Sequence, residues 1–276
     1  MYFIDIIKQI TILLNSLDSP QKEAEDIVLF ASNLTKTVLY RDNPIIPPEI
    51  IAKINLLVKR RASHEPLQYI IGQVEFLGLT IQVGHGVLIP RPETELVTLE
   101  AINLIKKYRF KKILDLCTGS GCIALSIAKE FPNIDIIGTD ISPCALKFAR
   151  LNAISNNINN VTFIETSLIE GIMDKTFDSI ISNPPYIKTS VINNLQPEIR
   201  SYEPTDALDG GVDGLDFYRK ILTQAPKILN PNGIIVFEIG DDQGGKIKKI
   251  SKDAGFKNIE IKNDFNNKNR MAIISG

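Results

Sequence analysis

Asp115-Leu116-Cys117-Thr118-Gly119-Ser120-Gly121-Cys122-Ile123-Ala124 decides the fold. It follows a short run of β-formers and leads into a stretch with helical spacing. That is the strand–turn–helix context of a nucleoside-binding turn. Gly119 and Gly121 let the backbone turn tightly and let a ligand approach it closely. Asp140 ends the next apolar run, 19 residues after Gly121. A carboxylate there can accept hydrogen bonds from both hydroxyls of a ribose. The same spacing also fits a dinucleotide fold. An acid at Asp115, on the strand before the glycines, suits the amino group of a methionine moiety better than a pyrophosphate.

Outward from this turn, strand and helix patterns alternate. Candidate strands are 113–116, 135–139, 161–165, 177–182, 233–238, 258–262 and 270–274, with helical stretches between the first five. Ser142-Pro143 starts one helix with a capping side chain and a proline at its first position. Such alternation predicts an α/β, Rossmann-like, doubly wound sheet.

Towards the N-terminus the pattern differs. Residues 1–72 read as a small helical domain. Ser19-Pro20 is a helix start, Ala24, Ile27, Val28 and Ala31 share one face, and Ile50, Ile54, Leu57 and Val58 share another. Residues 73–90 read as a β-hairpin linker whose β-formers are interrupted by Gly78. Residues 91–276 form the sheet domain.

Asn183-Pro184-Pro185-Tyr186 follows the fourth candidate strand, at the mouth of the same crevice. A planar amide or exocyclic amine is a poor nucleophile because its lone pair is delocalised. The Asn183 side-chain oxygen and the Pro184 carbonyl can accept its two N–H bonds. Pro185 stiffens the turn, and Tyr186 offers a flat face to a planar group. Methyl transfer from a sulfonium is an in-line displacement, so catalysis reduces to positioning and charge stabilisation. No general base stands out.

Composition narrows the alternatives. The 276 residues carry a net charge of -1, with 44% hydrophobic residues. That balance argues against a protein gripping a duplex by its phosphates. Three cysteines without Cys-x-x-Cys spacing and two histidines argue against a disulfide framework and a zinc site, so no metal is expected. Met1–Leu17 lacks the marks of a signal peptide, and no apolar run approaches the ~20 residues of a membrane span. A soluble, cytoplasmic protein is expected.

With these residues in hand, the chain resembles the HemK/PrmC family, protein-(glutamine-N5) methyltransferases of peptide chain release factors. Pro66–Gly72, Leu88-Ile-Pro-Arg-Pro-Glu-Thr-Glu95, Asp115–Gly121, Asn183–Tyr186 and Glu203-Pro-Thr-Asp-Ala-Leu-Asp-Gly-Gly-Val-Asp-Gly-Leu215 carry the resemblance, in family order. It implies a seven-stranded class I methyltransferase sheet with a last antiparallel strand, and S-adenosylmethionine as co-substrate. It implies that the helical domain and hairpin help hold a release factor. A monomer without direct nucleic acid or membrane contact is expected. Cys117, Thr118, Gly119, Ser120 and Gly121 would line the methionine part of the cofactor. Asp140 would bind its ribose and Leu168 would cover the adenine. Asn183 would touch cofactor and substrate. The glutamine of a Gly-Gly-Gln loop would enter beside Asn183, Pro184, Pro185 and Tyr186, with Arg91 bordering its pocket. Members often have glycine where Cys117 stands. Many carry Asp and a large residue where this chain has Ser167 and Leu168.

Two rivals remain. An adenine amino-methyltransferase shares the Asn-Pro-Pro-Tyr motif, but it needs a basic cleft and a domain able to flip a base. A cofactor-binding module without turnover leaves Asn183–Tyr186 unexplained.

Overall fold

The structure, a computed structural model, describes residues 1–276 and divides into two compact units. The first comprises Met1–Gln73 together with Gln196–Tyr202, and the second Val74–Leu195 and Glu203–Gly276.

Unit one begins with helices α1 (Phe3–Leu13), α2 (Pro20–Ser32), α3 (Lys36–Asp42), α4 (Pro48–Ala62) and α5 (Leu67–Ile71). The residues read as two apolar faces meet in its core. Ala24, Ile27 and Val28 of α2 and Ile54, Leu57 and Val58 of α4 pack with Phe3, Ile6 and Ile10 of α1. Pro20 and Pro48 open their helices at positions where a missing N–H costs nothing. Ser19 precedes Pro20 at the helix start without a side-chain capping hydrogen bond.

Unit two holds the remaining elements, apart from Gln73 at the start of the hairpin and one later helix. A two-residue turn at Leu77-Gly78, both with positive φ, closes a hairpin of β1 (Gln73–Phe76) and β2 (Leu79–Gln82). Positive φ at both centres is the twist-compatible hairpin turn, which explains the glycine that interrupts the strand pattern. Next come α6 (Pro92–Tyr108), β3 (Lys112–Leu116), α7 (Cys122–Glu130), β4 (Asp135–Asp140), α8 (Pro143–Ser155), β5 (Val161–Glu165) and β6 (Phe177–Ser182). After α9 (Thr189–Ile192) the chain enters unit one for α10 (Pro197–Tyr202). It returns for α11 (Asp216–Gln224), β7 (Leu229–Glu238), α12 (Gly244–Asp253), β8 (Asn258–Asn263) and β9 (Asn269–Ser275).

The seven strands after the hairpin make one sheet in the order β5-β4-β3-β6-β7-β9-β8. Pairs from β5 to β7 are parallel, while β9 runs antiparallel to both β7 and β8. This is the α/β class I methyltransferase sheet that the motifs imply. One link differs from the expected alternation. Only a short 3-10 turn, Glu170–Ile172, lies between β5 and β6 where a helix was expected. Strand order reverses between β3 and β6, so their C-terminal ends diverge into a crevice, the place where open α/β sheets bind ligands. No helix of the chain is long and apolar enough to cross a membrane.

Candidate active site

A cleft of about 750 Å³ opens at that switch point, a size suited to a nucleoside-sized ligand. Its floor is the turn between β3 and α7. Cys117 (φ 59°), Gly119 (φ 57°) and Gly121 (φ 82°) all take left-handed backbone there. An L side chain rarely adopts that region, which is a physical reason for glycine to suit position 117. A Cβ on Gly121 would lie 3.2 Å from both Ala149 and Phe163, so glycine lets α7 seat against α8 and β5 without crowding.

Asp115 does not form the cleft wall. It is wholly buried under the turn. Its Oδ2 accepts from the Thr118 hydroxyl at 2.6 Å and from the Ala124 N–H at 3.1 Å. Its Oδ1 is buried without a hydrogen-bond partner. Burial pushes its carboxyl up to about 7. An unpaired acidic oxygen beneath the turn fits a site that receives a cation or donor.

Asp140, at the end of β4, reaches across the crevice mouth. One oxygen accepts from the Gly119 N–H and the other from the Ser142 N–H, both at 2.9 Å. Burial raises its carboxyl above the usual range, and these N–H groups oppose that rise. The Ser142 hydroxyl in turn caps α8 through the Ala145 N–H. Asn152 of α8, fully buried, ties the turn from behind. Its side-chain nitrogen donates to the Ser120 carbonyl at 2.9 Å and its oxygen accepts from the Gln82 N–H of the hairpin at 2.7 Å. Asn152 was not singled out from the sequence; an asparagine on an otherwise apolar helix face was the available signal.

Cys117, Thr118, Gly119, Ser120, Asp140, Leu168, Asn183, Pro185 and Arg91 line this one cleft. Gly121, Pro184 and Tyr186 are not among its lining residues but adjoin residues that are. Pro184 is buried, and Tyr186 is half-buried and packs against the core of the sheet unit. Burial holds the Cys117 thiol far above its ordinary value and pushes Cys122 up to about 12, so neither is a thiolate nucleophile.

The Asn183–Tyr186 turn is held on three sides. The Asn183 amide nitrogen donates to the Thr94 hydroxyl of α6 at 3.3 Å. The Tyr186 hydroxyl donates to Glu238 Oε1 at 3.3 Å, and Gln243 donates to the Tyr186 carbonyl at 3.0 Å. The segment after α10 lies along the same turn. A Cβ on Gly210 would come within 2.7 Å of the Tyr186 Cα, so close approach requires glycine there. Arg91 donates to the buried Glu203 carboxylate at 2.6 Å, and the other Glu203 oxygen accepts from the Ile89 N–H at 3.3 Å. Thr94, Glu238 and Gln243 were missed in the sequence. Glu238 had a signal: a carboxylate closing the apolar strand Ile234-Ile-Val-Phe237.

Known proteins agree with this picture. Residues 5–72 match the PrmC N-terminal domain and residues 97–198 the methyltransferase small domain. A release factor glutamine methyltransferase of Thermodesulfovibrio yellowstonii is 44% identical over 95% of this chain and 95% of its own. One of Geobacter sulfurreducens is 42% identical over 92% of this chain and 89% of its own. Among solved structures, the ribosomal protein L11 methylase of Lactobacillus delbrueckii subsp. bulgaricus shares the fold, with a TM-score of 0.52 at 22% identity, covering 71% of this chain and 84% of that one. On these similarities the chain belongs to the release factor glutamine methyltransferase family, enzymes that draw their methyl group from S-adenosylmethionine.

Proposed function

We propose that this chain methylates the side-chain amide nitrogen of the glutamine in the Gly-Gly-Gln loop of peptide chain release factors. The observation that carries the reading is that Asn183 and Pro185 share one cleft with the Cys117–Ser120 turn and Asp140. A planar amide held by Asn183 thus lies beside the donor's binding turn. S-adenosylmethionine supplies a methyl group already activated on a sulfonium. Cys117, Thr118, Gly119 and Ser120 hold its methionine part, with Gly121 shaping the turn. Asp140 takes the ribose hydroxyls and Leu168 covers the adenine.

The Asn183 side-chain oxygen and the Pro184 carbonyl accept the two N–H bonds of the glutamine amide. This favours localisation of the nitrogen lone pair. Nitrogen bonds to the methyl carbon as the carbon–sulfur bond breaks, and one N–H proton leaves to water. Pro185 and Tyr186 keep the turn rigid, and Arg91, braced by Glu203, borders the glutamine pocket. The helical unit and the hairpin serve to hold the release factor. The enzyme works in the cytoplasm as a monomer, without nucleic acid or membrane.

Asn183→Ala should leave cofactor affinity within a few-fold and cut methyl transfer by roughly 10²-fold or more. The deciding experiment offers labelled S-adenosylmethionine with a release factor, its Gly-Gly-Gln glutamine-to-alanine variant and an adenine-containing duplex. Label on the wild-type factor alone supports the reading. Label on the duplex replaces it with the adenine reading.

A further inference from the structure

Glu238 lies at the end of β7, 1% exposed, and its two oxygens face two different parts of the site. Oε2 accepts from the Thr94 hydroxyl at 2.6 Å, and Oε1 accepts from the Tyr186 hydroxyl at 3.3 Å. Burial raises the Glu238 carboxyl above its usual range, while the Thr94 hydroxyl, the Arg270 charge and the Tyr186 hydroxyl all favour the ionised form. As a carboxylate it can only accept, and that fixes the direction of every hydrogen bond that follows. Thr94 has one hydroxyl proton, and that proton goes to Glu238. The Thr94 oxygen is therefore left as an acceptor, and it takes the Asn183 amide nitrogen at 3.3 Å. The nitrogen of Asn183, a residue lining the cleft, is thus committed to α6, and its oxygen takes no part in that bond.

We propose that Glu238 and Thr94 are positioning residues for methyl transfer: they form a one-way hydrogen-bond relay that holds the Asn183 amide with its oxygen towards the acceptor and its nitrogen away. A flipped Asn183 would set two donors against a substrate amide that itself brings two N–H groups. The relay removes that orientation. Thr94 is 2% exposed and its own carbonyl accepts from the Thr98 hydroxyl at 2.8 Å, so α6 holds it at one place. The Tyr218 hydroxyl donates to the Glu238 backbone carbonyl at 2.8 Å and steadies the carboxylate end. Fully paired buried networks of this kind specify one arrangement.

The proposal rests on the acceptor role given to Asn183 above, and its test has one arm that does not. In the kinetic arm, Thr94→Val keeps the shape and removes the hydroxyl, whereas Thr94→Ser keeps the hydroxyl. The valine variant should lower kcat by about 10-fold or more, with cofactor affinity and the KM for the release factor within a few-fold. The serine variant should restore kcat to within a few-fold. In an Asn183→Ala background, Thr94→Val should have no further effect on kcat, because the group it positions is gone.

In the spectroscopic arm, the Asn183 side-chain amide is followed by nitrogen-15 NMR, assigned by its loss in Asn183→Ala. Thr94→Val should shift that signal and speed its exchange with water, and Thr94→Ser should not. An unchanged amide signal in Thr94→Val overturns the relay. So does a loss of kcat that persists undiminished in the Asn183→Ala background. A shifted amide in an enzyme that labels no release factor upholds the relay and instead refutes the acceptor.

Discussion

Two aspartates flanking the glycine turn are raised by the same cause, burial, and do different work. Asp140 accepts from two backbone N–H groups and faces the cleft, so it holds the turn in place while offering its remaining lone pairs to a ligand. Asp140→Ala should weaken S-adenosylmethionine by about 1.5–3 kcal/mol in isothermal titration, the worth of charge-assisted hydrogen bonds; unchanged affinity would exclude a ribose contact. Asp115 keeps one oxygen unpaired, and its carboxyl is raised from 3.8 to about 7. Between those values the folded chain binds a proton that the unfolded chain has released. Its contribution therefore lowers stability as pH rises through that window, and the loss is complete above about pH 7. Asp115→Asn should lose less stability than the wild type between pH 4 and pH 8, read from urea unfolding of the ligand-free proteins. Parallel pH profiles would mean that Asp115 titrates at its ordinary value. The aspartates and the glycines between them were legible in the sequence because turn, strand end and acid all fall within a short stretch of chain.

At the scale of elements, the site depends on how α7 and α8 seat on the sheet. Gly121 allows the approach, and its φ of 82° adds a backbone reason for glycine. Gly121→Ala should cost about 2 kcal/mol through left-handed strain and crowding against Ala149 and Phe163, measured as a lower urea midpoint at an unchanged slope. The hairpin has its own attachment. Asn152 of α8 and Asn156 at its C-terminal cap bond the backbone of β2 as a further strand would, at Gln82 and Thr80. The strands themselves were readable because a buried parallel sheet demands continuous apolar runs. The link between β5 and β6 was not. Ile169 and Ile172 are apolar at helical spacing, yet they serve a single 3-10 turn packed into the core.

Across the whole molecule, the chain path is less simple than the order of its motifs. Residues Gln196–Tyr202 leave the second unit and pack with the first. There Glu198 accepts from Arg61 at 3.1 Å and meets His64 Nδ1 at 3.1 Å, and the Tyr202 hydroxyl donates to the Ser63 carbonyl at 2.7 Å. Arg61, nearly buried, also pairs with Glu23. Arg61→Ala leaves two carboxylates facing one another without their cation. It should cost about 3 kcal/mol, as breaking a buried pair does. It should also speed proteolytic cleavage within 196–202; cleavage at the wild-type rate would show that the other contacts suffice to hold the segment.

The sequence alone determined the sheet, the position of its crevice and the place of the Asn183 turn at the crevice. Each is written in contiguous residues: an apolar run, a glycine turn, an acid at a strand end, an Asn-Pro-Pro-Tyr after a strand. The tertiary structure alone decided which residues steady that turn. Thr94 lies 89 residues from Asn183 and 144 from Glu238, and Glu203 lies 112 from Arg91. Such pairs leave no periodic trace, because a buried threonine or glutamate reads the same whatever faces it. Only the packing of α6 across the ends of β6 and β7 brings their hydrogen bonds into line.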